Sequence, residues 1–281
     1  MRRLLRATAR RASSGVEPVR IAGLELTDLR PASSAGTAIT KVGRLSLRGR
    51  TTGGTRVKVV EAHSAVHAQQ LAALADDTLS DLLPPVLGTE GALVVSTWVE
   101  RDDAAPEPDG QTLAAMLARI HAHDVTGLRR AFDPWRDHVL TRARRVALTL
   151  DAAARLEELL APAHEAVAAT PPTLCHADLT PDNVVPVPGG HRIVDNELLG
   201  VGAAPVLDLA TLARGLSRDR TEIPDAYLAA GGRAIDPDAL GPARAMWLAR
   251  MLGTLFLAGR LTECRALLDA GETAARLPFE R

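Results

Sequence analysis

The chain has 281 residues, 33 basic against 34 acidic, a formal charge of −1 and 46% apolar side chains. That balance excludes a disordered or fibrous chain, and no whole-chain field would recruit nucleic acid or an anionic membrane surface. Seven aromatic residues are too few for a base-stacking platform. No apolar run approaches the roughly 20 residues of a membrane span, and two cysteines without CxxC spacing suit a reducing, cytoplasmic setting.

Residues 1–18 form a basic arm, Arg-rich and acid-free over its first eleven residues, with no apolar stretch of a secretory leader behind it. The next eighty residues read mainly as strands. Leu45 and Leu47 alternate with Arg44, Ser46 and Arg48, Gly53-Gly54 supplies a turn, and residues 55–61 return as a β-rich run, so a hairpin is predicted. Residues 62–75 read as helix and 82–88, with Pro84-Pro85, as its break. A buried strand is expected over 92–99. The Pro- and acid-rich stretch 101–110 marks a hinge between an N-terminal lobe, 19–100, and a C-terminal lobe, 111–281.

Helices dominate the second half. Leu113, Met116, Leu117 and Ile120 recur at i, i+3, i+4 and i+7. Residues 135–169 read as one long helix or two shorter ones, and 205–216, 225–230, 237–259 and 262–275 again read as helix. The segment 174–197 does not fit this pattern. Its Pro188-Gly189-Gly190 turn separates two short β-rich runs, so a small hairpin is predicted with Asn183 just before it and Asp195 just after it.

Asp178 stands five residues before Asn183, on a loop opened by His176 and closed by Pro181. Two carboxylates and an amide oxygen make a hard-oxygen set that suits Mg²⁺ and is poor for zinc. Phosphoryl transfer asks for such a set: a metal on the phosphate oxygens, a carboxylate for the acceptor hydroxyl and a cation on the non-transferred phosphates. Asp178 is the candidate base, Asn183 and Asp195 the candidate metal ligands, and Lys58 the candidate cation. Lysine occurs only at positions 41 and 58 in a chain that otherwise uses arginine. His176 and His121 read as structural, Cys175 as a small buried apolar residue, Asp236 and Asp238 as helix caps, and Glu197 as either metal-adjacent or a cap.

The run His176-Ala177-Asp178-Leu179-Thr180-Pro181-Asp182-Asn183-Val184 is followed by Ile193-Val194-Asp195-Asn196-Glu197 and Leu207-Asp208-Leu209-Ala210. Together they resemble the catalytic core of the aminoglycoside phosphotransferase/choline kinase group, which has the protein-kinase-like fold. The resemblance covers most of the chain and implies an α+β fold of two lobes, β-rich and then helical. It implies an O-phosphotransferase using ATP or GTP with Mg²⁺, working on a small hydroxyl-bearing substrate as a monomer or homodimer. By the same resemblance the backbone at Trp98, Val99 and Glu100 would meet the purine, and Asp208 would hold the catalytic loop. The turn over the phosphates would fall near 31–36, where Ser33, Ser34 and one glycine stand in place of a GxGxxG. The helix after Lys58 carries no glutamate to pair with it, leaving Gln70, His67 or the phosphates themselves as its partner. A nucleotide-binding pseudokinase therefore stays open beside the enzyme reading. The Ala/Arg-rich composition suggests a bacterial source, in which such enzymes inactivate antibiotics or serve metabolite pathways; aminoglycosides, nucleosides and sugars all remain as acceptors.

Overall fold

The computed structural model describes residues 18–32, 44–218, 220–234 and 240–280. The basic arm up to residue 17, Ser33, Ser34, Asp236 and Asp238 lie outside them. The described residues form two compact units, one drawn from Met1–Pro106 with Val185–Glu197, the other from Glu107–Val184 with Leu198–Arg281.

The first unit is built on a six-stranded antiparallel sheet of order β1-β2-β3-β4-β6-β5. Its strands are β1 (Val19–Ile21), β2 (Leu24–Pro31), β3 (Ser46–Thr51), β4 (Arg56–Glu61), β5 (Val86–Glu90) and β6 (Leu93–Thr97). Register explains its two faces. Leu47, Val59 and Val95 lie opposite one another across three strands and are fully buried with Leu26, Leu29 and Val57, whereas the next row, Arg48, Lys58 and Ser96, faces the other way. Burying each such Val or Leu stabilises the sheet by about 1.5–3 kcal/mol. The period-two pattern thus fixes where Lys58 points.

Helix α1 (Ala65–Asp76) follows, its N-terminus capped by Ser64, which accepts from the His67 N–H at 3.1 Å. The break expected over 82–88 holds only as far as Pro85, because β5 starts at Val86 and pairs with β6. The hairpin β8 (Val184–Val187) and β9 (Gly190–Ile193) turns at Gly189, whose φ of +83° favours glycine. Its residues from 185 onward belong to this unit: Ile193 N donates to Leu82 O at 2.8 Å, and Asp102 N to Pro186 O at 2.9 Å.

The second unit is helical, with α2 (Gly110–Ala122), α3 (Thr141–Thr149), α4 (Ala153–Ala169), α5 (Pro205–Gly215), α6 (Ile223–Ala229), α7 (Leu240–Leu257) and α8 (Leu261–Ala270). The predicted α2 stripe, Leu113, Met116, Leu117 and Ile120, is buried. Residues 134–169 are three pieces instead of the one or two expected: a π-helical turn (Pro134–Leu140), α3 and α4. Asp133 starts the first by accepting the Trp135 and Arg136 N–H groups, and Asp151, at φ +52°, separates α3 from α4. Two three-residue strands, β7 (Thr173–Cys175) and β10 (Gly200–Gly202), pair antiparallel and frame the loop that begins at His176. No described helix is long and apolar enough to cross a membrane.

Candidate active site

In the first unit, the Lys58 face of the sheet borders a cavity of about 330 Å³. Lys58, Ser96, Trp98, Val99, Asp195 and Glu197 are among its lining residues. The Lys58 ammonium is ion-paired with the Asp195 carboxylate, with the lysine side chain mostly buried and the aspartate half-exposed. Asp195 has a φ of +58°, a left-handed conformation costing about 1–2 kcal/mol in a non-glycine residue. Glu197 contributes an oxygen, Oε2, that is buried without a hydrogen-bond partner, while its backbone carbonyl accepts from Arg44 at 2.7 Å. A half-exposed carboxylate and an orphaned carboxylate oxygen in one cavity are hard donors of the kind Mg²⁺ takes, so these residues fit that ion.

The remaining residues assigned to the purine divide. Trp98 and Val99 line the cavity, whereas Glu100 pairs with Arg56, whose guanidinium lies 5.4 Å from the Trp98 ring centroid. No α1 glutamate is needed to account for Lys58, since Asp195 is its partner. Gln70, on α1, is buried with neither amide atom hydrogen-bonded, and the Glu61 carboxylate on the lysine's own strand accepts the Leu45 N–H at 3.2 Å.

In the second unit the loop after β7 is held from below by Asp208, in the first turn of α5. Its two carboxylate oxygens accept the His176 and Ala177 N–H groups, each at 2.7 Å. His121, from the end of α2, lies 3.1 Å from Asp208 Oδ2, and its other ring nitrogen is 2.8 Å from the Tyr227 hydroxyl of α6. All of this is buried. Ala177 takes φ +63° and packs with Phe132 and Leu198, so hydrogen bonds and packing together hold a strained backbone in one shape.

Asp178 emerges from that frame with a side chain 45% exposed. Its N–H donates to His176 Nδ1 at 3.3 Å, and the Asn183 amide closes the loop by donating to the Asp178 carbonyl at 2.8 Å. Arg250, reaching in from α7, donates from Nη2 to Asp178 Oδ1 at 2.7 Å and from Nη1 to the Ala177 carbonyl at 2.5 Å. Reasoning from the sequence missed Arg250. It stands 72 residues from Asp178 on an ordinary amphipathic helix, and no local pattern marks it. Burial, reinforced by the Asp208 charge, pushes the Cys175 thiol well up, in keeping with its reading as an inert buried residue.

The model of the phosphotransferase enzyme family (APH) matches residues 55–246, running from the Lys58 strand through the Asp178 loop into α7. Among solved structures, the chain is similar to the amicoumacin kinase hAmiN in complex with AMP-PNP, Ca²⁺ and Ami, at 13% identity, a TM-score of 0.62 and coverage of 100% of this chain and 98% of that one. The macrolide 2'-phosphotransferase MphH from Brachybacterium faecium gives 20% identity, a TM-score of 0.52 and 99% coverage of both chains. A choline/ethanolamine kinase family protein from Mesorhizobium loti gives 16%, 0.50, and coverage of 98% and 97%. At these identities the likeness shows the fold, a protein-kinase-like α+β fold of two lobes. No curated protein sequence matches the chain. With the family model spanning more than half of its length, the chain belongs to the phosphotransferase enzyme family and is a kinase-type enzyme of small molecules.

Proposed function

We propose that the protein transfers the γ-phosphate of ATP or GTP to the hydroxyl of a small molecule. The observation that carries this reading is the half-exposed Asp178 carboxylate, presented by a loop whose backbone N–H groups are tied to buried Asp208. Asp178 orients the acceptor hydroxyl and takes its proton. Lys58 gives a compact ammonium to the non-transferred phosphates and is released to them from Asp195. Asn183 and Asp195 would hold Mg²⁺, with Glu197 beside them, and the bound ion would neutralise charge on the phosphate oxygens. Trp98 and Val99 would flank the purine, as they line the cavity beside Lys58. Ser33 and Ser34 would cover the phosphates. The division of labour follows the lobes: donor on residues 19–100, a hinge over 101–110, acceptor on 111–281. Catalysis of this kind is mostly positioning and charge stabilisation. Nucleotide use agrees with the AMP-PNP named for the amicoumacin kinase. An antibiotic or a metabolite serves equally as the hydroxyl-bearing partner in this scheme, in a bacterial cytoplasm, with the protein acting as a monomer or homodimer.

The test is ADP release from MgATP over a panel of hydroxylated compounds, with nucleotide affinity measured in parallel. Asp178→Ala is expected to lower turnover by about 10²–10⁴-fold while nucleotide affinity is kept. Transfer that survives in Asp178→Ala removes the base assignment. A second reading, a nucleotide-binding module without turnover, rests on the absence of a glutamate from α1, whose buried Gln70 has both amide atoms unpartnered. Nucleotide binding with no transfer to any acceptor would establish it.

A further inference from the structure

Asp178 is paired with a guanidinium that it does not fully satisfy. Arg250 is 13% exposed, and its Nε is buried with no acceptor, so the Asp178 carboxylate and the Ala177 carbonyl do not satisfy the whole guanidinium. Three residues earlier on α7, hence on the same helix face, is Trp247. The Arg214 guanidinium of α5 lies 5.9 Å from that ring. Arg214 is exposed and has no carboxylate partner among the described residues; desolvation on its inner side lowers its pKa, and the Arg250 charge lowers it further. The end of α5 also abuts the catalytic loop itself. A Cβ at Gly215, the next residue, would stand 2.5 Å from Pro181 and 3.4 Å from Thr180. Arg250 therefore pairs with the loop's carboxylate, while Arg214, one residue before the glycine that abuts the loop, stacks toward Trp247 without an acid partner.

We propose that the acceptor is a hydroxyl-bearing acid, a carboxylate or phosphate ester, whose anionic group is taken by Arg214 while Arg250 holds Asp178 toward its hydroxyl. The inference rests on the reading of Asp178 as the base. An amine-bearing acceptor meets two cations at this place, whereas an acid supplies the counter-charge Arg214 lacks and can form a bidentate pair with it. In the step itself the acceptor oxygen bonds to the γ-phosphorus, the bond from that phosphorus to the β-bridging oxygen breaks, ADP leaves, and the hydroxyl proton passes to Asp178. Arg250 lies beyond the span matched by the family model, which ends at residue 246.

The experiment incubates the full chain and MgATP with matched sets that differ only in charge: glycerate, glycerol and 3-amino-1,2-propanediol; gluconate, sorbitol and glucamine; glucuronate, glucose and glucosamine. Products are read by the mass of an added phosphoryl group, alongside binding of AMP-PNP. The acids are expected to be phosphorylated at least tenfold more efficiently than their amine counterparts. Arg214→Gln is expected to raise KM for the best acid tenfold or more with kcat changed less than threefold, and Arg214→Lys to recover most of that loss. Transfer to amine or neutral members at rates equal to the acids, or an unchanged KM in Arg214→Gln, overturns the acidic acceptor and leaves phosphoryl transfer standing. A protein that binds AMP-PNP yet phosphorylates no member of any set overturns the transfer reading, and the acceptor class with it.

Discussion

His121 Nε2 lies 3.1 Å from Asp208 Oδ2 in a setting where both side chains are 1% exposed. A carboxylate only accepts, so that ring nitrogen donates to it, and the other, Nδ1, lies 2.8 Å from the Tyr227 hydroxyl. Asp208 also accepts two loop N–H groups and so links α2, α5 and α6 to the backbone that presents Asp178. Removing it strands three buried donors at once. Asp208→Ala is expected to cost about 3–5 kcal/mol, a fall in Tm of about 6–15 °C for a chain of this size. Thermal unfolding followed by circular dichroism measures this. A fall of under 2 °C would show that the loop does not depend on the carboxylate.

Gly215 closes α5 against the same loop, where a methyl group would sit 2.5 Å from Pro181 Cδ. Proline has no flexible end to move aside, so relief must come from the loop backbone or from α5. Gly215→Ala is expected to lower kcat by about 10–100-fold through misplacement of Asp178, at a stability cost of about 1–3 kcal/mol. The KM for nucleotide should stay unchanged, because Lys58 and its cavity belong to the first unit. Steady-state kinetics with ATP as the varied substrate separates the two; a raised KM with unchanged kcat would contradict the argument.

The parts of the molecule legible in its sequence are those with a period or a local spacing. The β3–β4 hairpin follows from alternation about Gly53-Gly54, the α2 stripe from the i, i+3, i+4, i+7 spacing, and the β8–β9 hairpin from Pro188-Gly189-Gly190. Strands β7 and β10 were not legible: three residues are too few for alternation, and their partners lie about 27 positions apart. Nor was the site legible as a network. The sequence singles out Asp178, and its family resemblance gives Asp208 as the holder of the loop, which the structure bears out; Arg250, set by tertiary packing alone, was not legible. Likewise the partner of Lys58 was sought on α1 and is Asp195, 137 residues away.

Cys175 and Cys264 are both buried and free. Burial raises each thiol pKa, Asp208 raises that of Cys175 further, and Glu263 adds to the effect at Cys264. A raised pKa means a smaller thiolate fraction at any pH below it, and the thiolate is the form that reacts. At pH 8 the native protein is therefore expected to resist iodoacetamide at both positions for hours, whereas protein in guanidinium chloride takes up two labels. Intact mass reads the count. Rapid labelling of Cys175 in the folded state would mean that the β7–β10 pair opens readily.

Gln70 sits on the face of α1 turned to the protein interior, buried beside Leu71 and Leu74, with neither its amide oxygen nor its amide nitrogen hydrogen-bonded. An unpaired buried amide costs about 1–3 kcal/mol relative to an apolar group that fills the same space. Methionine has nearly the volume of glutamine, is unbranched and makes no such demand. Gln70→Met is therefore expected to raise the stability of the nucleotide-free protein by about 1 kcal/mol, or 2–4 °C in Tm. If the amide takes up Lys58 once the phosphates draw that lysine from Asp195, the same substitution weakens nucleotide affinity while stabilising the free protein. Stability and AMP-PNP affinity then move in opposite directions. A change in Tm alone assigns Gln70 to an uncompensated core position, and a loss of stability would show that the amide has a partner after all.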